Sequence, residues 1–321
     1  MGAVISPCSL QRVIVVPRNG YANRLQAWAS SAILAAELDA SLEVCWVPES
    51  VAGAEAHDLF APELVDRQFI SEAMLEEHLG RHINSIPRYL TLDTDNGIVV
   101  LAGHDQGEQF FMPALTQMLN DDSQPHTLVV VAGGKFHLPW STDFVRQRAI
   151  FYQRLSWSPE LDAALTDAVT DHGAFSALHI RETDRSREAP PRHTIKEGLR
   201  ALAASGAPSS LFIAADSPKG RETWVRESSA LGFQPWTRAT VTLDRADPRA
   251  GIDALADWRV MSRAEAIVHP RASTFSEEAS VASGHHDRAI PLSASMQRQR
   301  LRAAAAATHS ALTYPQRNWR R

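Results

Sequence analysis

The chain has 321 residues, more than the roughly 100–200 of a single domain, so two domains with a ligand cleft between them are expected. Its 32 Lys and Arg against 37 Asp and Glu leave a formal net charge of −5, which argues against affinity built on neutralising nucleic-acid phosphates. An aromatic content of 7% offers no evident base-stacking surface.

Two cysteines, Cys8 and Cys45, are too few for a disulfide framework and lack zinc-site spacing, which fits a reducing cytoplasm. The start of the chain lacks a charged region followed by a long apolar one, so no secretory signal is read there. The apolar runs fall far short of the roughly 20 residues of a membrane helix, and a soluble cytoplasmic protein is expected.

Along the chain, Arg12 to Pro17 is a β-branched run closed by proline and reads as a buried strand. A loop with Asn19-Gly20 follows, and Leu25, Trp28, Ala29, Ala32 and Ala36 then recur at helical spacing, predicting a helix to about Leu38. Ser41 to Val47 reads as the next strand, completing a βαβ unit and placing a parallel sheet at the start. Between 48 and 127 the signals are a helix at Ser71 to Leu79 and a hairpin from Tyr89 to Ala102 turning at Asn96-Gly97. Leu128 to Ala132 is a further strand and Thr142 to Leu155 an amphipathic helix, with the domain boundary set after residue 155. The expectation is an N-terminal Rossmann-like domain over 1–155 and a second Rossmann-like domain over 156–321.

The second half alternates cleanly. Strands are predicted at Ala177–Arg181, Leu211–Ala215 and Ala266–His269, and helices near 194–204, 218–231, 251–264 and 276–283, with Gly206 and Gly232 at helix ends. The run Ala303 to Ala307 reads as ordinary terminal helix.

In an open parallel sheet, ligands bind beyond the carboxyl ends of the strands, where loops surround a crevice and helix N-termini point into it. After the first second-half strand comes His179-Ile180-Arg181-Glu182-Thr183-Asp184-Arg185, where alternation turns His179 and Arg181 away from the face of Leu178 and Ile180. An arginine there can fork onto phosphate oxygens. After the second strand comes Asp216-Ser217-Pro218, where Asp216 can accept from a ribose hydroxyl. After the third comes Ser273-Thr274-Phe275-Ser276, whose hydroxyls lead into a helix with free N–H groups suited to a diphosphate. Taken singly, each has a plainer reading: Arg181 as a surface ion pair, Asp216 as an N-cap, Ser273 to Ser276 as a capping sequence.

These residues resemble the GDP-fucose fucosyltransferases of the α-1,6-, protein O- and rhizobial nodulation-factor types. The resemblance rests on His179-Ile180-Arg181-x-Thr183-Asp184-Arg185, Ile213-Ala214-Ala215-Asp216-Ser217-Pro218, Asp257-x-x-x-Met261-Ser262 and Ser273-Thr274-Phe275-Ser276, in the family's order. Gly20-Tyr21-Ala22-Asn23-Arg24-Leu25 resembles its N-terminal glycine loop, and residues 48–170 show no match. The resemblance implies a GT-B-like α/β fold of two Rossmann-like domains, residues 1–155 on the acceptor side and 156–321 binding the nucleotide sugar, and transfer of fucose or a related hexose from a GDP-sugar, with inversion and without a metal or other cofactor. It implies that Arg181 stabilises the leaving GDP, that Asp257 reads the guanine edge, that the Ser273–Ser276 turn holds phosphate oxygens, and that Gly20, Asn23, Arg24 and His179 lie on the donor side. Asp184 and Glu188 are the joint candidates for the base, with Glu182 a third.

Two positions depart from the family: Glu182 stands where the mammalian α-1,6 enzymes carry a second arginine, and Ala22 where glycine is usual. Arg185 or Arg24 can supply the missing charge. An Ala- and Arg-rich chain of this kind reads as bacterial, with a small molecule, natural product or glycan precursor as acceptor.

Two other readings compete. Asp93-Thr94-Asp95 has the form by which metal-dependent GT-A transferases hold a sugar diphosphate, although its place before Asn96-Gly97 favours a hairpin turn. A non-catalytic GDP-sugar- or glycan-binding module is the alternative from another class, motivated by Glu182. Gly133-Gly134-Lys135 is not a P-loop, since Val129 and Phe136 stand where that motif needs Gly and Ser or Thr. The pair His285-His286 lacks metal-ligand spacing.

Overall fold

The computed structural model describes residues 10–86, 91–95, 97–103, 108–119, 125–137, 141–183, 189–240, 242 and 247–293, with the main chain alone at 91–95 and 108–111. The elements run β1 (Arg12–Pro17), α1 (Tyr21–Glu37), β2 (Ser41–Val44), α2 (Ala56–Leu59), α3 (Pro62–Gln68), α4 (Glu72–Leu79), β3 (Thr91–Asp95), β4 (Ile98–Ala102), α5 (Glu108–Leu119), β5 (Thr127–Ala132), α6 (Phe144–Arg154) and α7 (Pro159–His172). There follow β6 (Ser176–Ile180), α8 (Arg192–Ala204), β7 (Ser210–Ala215), α9 (Pro218–Ser229), β8 (Gln234–Trp236), α10 (Pro248–Met261), β9 (Ile267–Pro270), α11 (Thr274–Ala282) and β10 (Ile290–Leu292). The predicted terminal helix around 303–307 lies outside the described residues.

Two compact units emerge, one of residues 1–173, 238–263 and 278–286, the other of 174–237, 264–277 and 287–321. Grouped by contact, the chain is therefore not divided by one cut near residue 155. Each unit holds one five-stranded sheet, in the orders β2-β1-β5-β4-β3 and β10-β9-β6-β7-β8.

In the first unit β1 pairs in parallel with β2 and β5, and β4 with β5. The predicted hairpin forms as the antiparallel pair β3–β4, with Asp95 opposite Ile98. Asp93 and Asp95 therefore belong to a hairpin strand, and their side chains lie outside the described residues. Trp28, fully buried on α1, meets Phe60, Phe69 and Phe151 edge-on at centroid distances of 5.1, 5.2 and 5.5 Å. Between 48 and 127, sequence periodicity misses α2, α3 and α5, because two are under eight residues long and the third carries Pro113 in its interior.

A buried polar knot in this unit joins α1, α6 and the later part of α11, from residue 278 on. Glu278 on α11 is wholly buried and accepts from Gln26 Nε2 on α1 at 2.7 Å, from Tyr152 Oη on α6 at 2.7 Å, and from Arg148 Nη1 on α6. Burial, then the charge of Glu278, pushes the Tyr152 phenol well above its usual range, so it keeps its proton and donates.

All strands of the second unit are parallel. Helices cover such a sheet on both faces, which makes its strands apolar throughout, and every residue of β6 is buried. Leu178, Ile180, Ile195, Leu199, Leu202, Leu211, Ile213 and Trp224 share one core cluster. Helix α8 comes so close that a Cβ on Gly198 would lie 2.7 Å from Leu292 Cδ2 and 3.0 Å from Val268 Cγ1. Gly206 and Gly232, at φ +74° and +89°, end α8 and α9 in the left-handed region, as the sequence predicts.

Breaking a buried ion pair from one side strands the remaining charge, which costs about 3–5 kcal/mol. Arg148→Leu is thus expected to destabilise the protein by about 3 kcal/mol or more, while Arg148→Leu combined with Glu278→Gln, which removes the stranded charge and keeps an acceptor oxygen for Tyr152, recovers part of the loss. Denaturant titration of the single and double variants measures both.

Candidate functional site

In the second unit the chain lays down β6, β7 and β8 in one direction, then places β9 and β10 on the opposite side of β6. The strand order therefore reverses between β6 and β9, and a crevice opens at such a switch point beyond the carboxyl ends of the strands. The β6 end supplies His179 and Arg181; the segment from β9 into α11 supplies Ser273 to Ser276.

His179 shows how the two strand ends meet. Its Nδ1 stands 2.9 Å from Ser276 Oγ and 3.4 Å from Ser273 Oγ, and its ring lies 5.4 Å from that of Phe275, tilted by 39°. The alternation reading holds in that Leu178 and Ile180 enter the core cluster without His179. Yet His179 is itself only 7% exposed, since the second face of a parallel sheet is covered as well. Burial, with the positive charge of Arg181 and the neighbouring His269, draws the His179 pKa down to about 3, so the ring is neutral at physiological pH.

Arg181 is the first residue beyond β6 and is half-buried. Beyond β9, α11 begins at Thr274, and Ser273 and Ser276 are buried at the head of the helix. Ser273 anchors the turn through its N–H to the Pro270 carbonyl at 3.0 Å, while its own carbonyl accepts from Glu277 N at 3.0 Å. The N–H groups of a first helical turn have no intrahelical acceptors and carry the positive end of the helix dipole. Buried hydroxyls, a neutral imidazole, a guanidinium and a helix head together make an environment for an anion.

Asp216 sits at the tip of β7, where its carboxylate accepts from Glu182 N, Thr183 N and Thr183 Oγ1 at 3.0, 3.0 and 2.7 Å. Its bonds thus go to the protein's own loop. The candidate bases Asp184 and Glu188, and Arg185 with them, lie outside the described residues. Glu182 is exposed.

The other expected residues belong to the first unit. Gly20 is the N-cap of α1, with open space where a side chain would stand, and Asn23 is half-buried on the helix's first turn. Arg24 is fully buried: Nε donates to Asn19 O at 2.9 Å, Nη1 to Val47 O at 2.7 Å and Nη2 to Glu49 Oε2 at 3.0 Å. Burial lowers its pKa to about 10, against the attraction of Glu49, so it stays charged and ties the loop after β1 to the chain after β2. That placement leaves it no exposed surface with which to replace the charge missing at Glu182. Asp257, on α10, accepts from Arg238 Nε at 3.2 Å, and the same guanidinium reaches Asp253 at 3.0 Å.

Sequence reasoning missed His269, Glu49 and Arg238. His269 has a legible signal in hindsight, since it continues the register that pairs Ala177 with Ile267 and Leu178 with Val268, beside His179. Glu49 and Arg238 lie in irregular segments, where no period marks a contact. Cavities of about 380 and 470 Å³ in the first unit hold none of the expected site residues. Among the described residues no cluster of three or more His, Cys, Asp or Glu could hold a metal, and no helix is long and apolar enough to cross a membrane.

No protein-family model matches the chain, and no curated protein sequence matches it. Solved structures do match. NodZ α-1,6-fucosyltransferase soaked with GDP-fucose aligns with a TM-score of 0.59 at 17% identity, covering 85% of this chain and 92% of that one. Bradyrhizobium NodZ gives 0.56 at 16%, covering 84% and 92%. A point mutant of Arabidopsis thaliana FUT1 in complex with GDP gives 0.60 at 14%, covering 86% and 69%.

The chain has the fold of these fucosyltransferases. It is a GT-B-type α/β fold of two Rossmann-like units, as the sequence motifs imply.

The depressed pKa of His179 has a stability consequence. Below its ordinary pKa of 6.5 the unfolded chain binds a proton that the folded one refuses, so the His179 contribution is fully present above pH 6.5 and is lost as pH falls toward about 3. Replacing His179 with Gln, which does not titrate, is expected to flatten the fall in melting temperature between pH 6.5 and 4. Thermal melts of both proteins across that range provide the check.

Proposed function

We propose that the protein is an inverting glycosyltransferase that transfers fucose or a related hexose from a GDP-sugar to a hydroxyl of a small molecule, natural product or glycan, without a metal, in a bacterial cytoplasm. The observation that supports the reading is the contact of His179 with Ser273 and Ser276 at the β6/β9 switch point, with Arg181 the first residue beyond the same strand. Matching solved structures that hold GDP-fucose or GDP support the choice of nucleotide.

In the proposed reaction the acceptor oxygen attacks the anomeric carbon on the face opposite the diphosphate, which inverts its configuration. The bond from the anomeric carbon to the β-phosphate oxygen breaks, with positive charge developing on the sugar and negative charge on the departing GDP. Arg181 and the N-terminal turn of α11 stabilise that negative charge, a preorganised role that a metal ion serves elsewhere. The acceptor proton passes to a carboxylate of the loop after Arg181, with Asp184 and Glu188 the candidates ahead of Glu182. Asp257, held by Arg238, reads the guanine edge, and Gly20 and Asn23 line the donor side.

Calorimetry with GDP, UDP and dTDP, with and without divalent metal, tests the nucleotide. GDP is expected to bind alone among them and without metal; tight UDP binding would sink the guanine assignment, and absolute metal dependence would revive Asp93 and Asp95. Arg181→Ala is expected to lower turnover of the donor roughly 10²- to 10³-fold, the cost of one preorganised donor to developing charge. Unchanged turnover in that variant would exclude the proposed leaving-group role.

A further inference from the structure

The main chain on either side of Arg181 is hydrogen-bonded in place. On one side, Ile180 is the last residue of β6, paired with Ala215, and its carbonyl accepts from Asp216 N at 3.4 Å. On the other, the Glu182 N–H lies 3.0 and 3.2 Å from the two carboxylate oxygens of Asp216, and Oδ2 also takes Thr183 N at 3.0 Å and Thr183 Oγ1 at 2.7 Å. One carboxylate thus gathers two successive amides and a hydroxyl from the chain leaving β6. Hydrogen bonds to an ionised acceptor are the stronger kind, and an arginine whose two neighbours are pinned has its own backbone direction set.

The side chain of Glu182 lies beside α9. Its Oε2 lies 3.4 Å from where a Cβ would stand on Gly220, in the first turn of α9. Ser217 caps that helix by accepting from Gly220 N at 3.0 Å. An anion beside a helix N-terminus is favoured by the helix dipole, so this position draws the Glu182 carboxylate toward α9.

We infer that Asp216 is a positioning residue: it latches Glu182 and Thr183, so that Arg181 is presented in one orientation, and it acts on the nucleotide through Arg181 instead of through the ribose. This rests on the nucleotide-diphosphate reading of the site. It replaces the ribose contact that the sequence suggests for Asp216 with a contact inside the protein.

The two roles separate experimentally. Asp216→Asn exchanges one acceptor oxygen for an N–H₂ group that cannot accept from a backbone amide, and Thr183→Val removes the hydroxyl bond alone. For Asp216→Asn the latch predicts weaker binding of GDP and of 2′,3′-dideoxy-GDP by the same factor, about 10-fold, or roughly 1.4 kcal/mol. It also predicts faster amide exchange at Glu182 and Thr183, and a fall in kcat at saturating donor. Thr183→Val moves each readout the same way by less, and remains informative if the aspartate variant does not fold.

A loss with GDP that disappears with the dideoxy nucleotide would overturn the latch in favour of a ribose contact. A lowered melting temperature with both affinities and the exchange rates unchanged would overturn it as well. Failure of the wild-type protein to bind any guanine nucleotide would sink the reading of the site instead, and exchange at Glu182 and Thr183 would then decide the latch alone.

Discussion

A parallel strand covered by helices on both faces has nowhere to put polar chemistry except at its end, and β6 is such a strand. Its five residues are buried, and the one polar side chain near its end, His179, is kept neutral and bonded to the serines that open α11. Arg181 escapes this constraint by standing one residue further on. The candidate site therefore begins where the sheet stops, and its composition follows from that edge: a cation beyond the strand, hydroxyls at a helix head, and an imidazole that burial keeps neutral at physiological pH.

The same economy of burial explains residues whose charge serves architecture. Arg24 looks like a phosphate ligand in the sequence, yet it is enclosed and spends its donors on two carbonyls and Glu49. Glu278 follows the candidate phosphate turn by two residues, yet its carboxylate is taken by Gln26, Arg148 and Tyr152. Buried ion pairs add little net stability compared with well-packed apolar groups. Here they join segments far apart in the chain: Arg24 to the residues after β1 and β2, and Glu278 to α1 and α6.

Glu182 carries the departure from the fucosyltransferase pattern, and a negative charge beside a diphosphate would oppose binding. The structure moves the question from residue type to direction. With its backbone held by Asp216 and its carboxylate near the first turn of α9, Glu182 has a local electrostatic reason to face that helix. A substitution that reads as a lost phosphate contact can equally belong to the support of the residue before it.

The alternation of apolar strands with helices, the helix-ending glycines and the polar ends of β6, β7 and β9 were all legible in the sequence, because each is a local property with a fixed period or a fixed conformational demand. So was the β3–β4 hairpin, since Gly97, at φ +77°, supplies the left-handed conformation that such a turn favours. The short helices α2 and α3 were not, having too few residues to establish a period, and α5 was hidden by Pro113. Strand order was beyond reach too: nothing local says that β9 pairs with β6 across from β7, yet that pairing creates the switch point and brings His179 to Ser273 and Ser276. The sequence by itself determined which residues could do phosphate chemistry. Only the tertiary structure decided that Arg24 is enclosed and Asp216 is turned onto its own loop, because burial and hydrogen-bond partners depend on segments far apart in the chain.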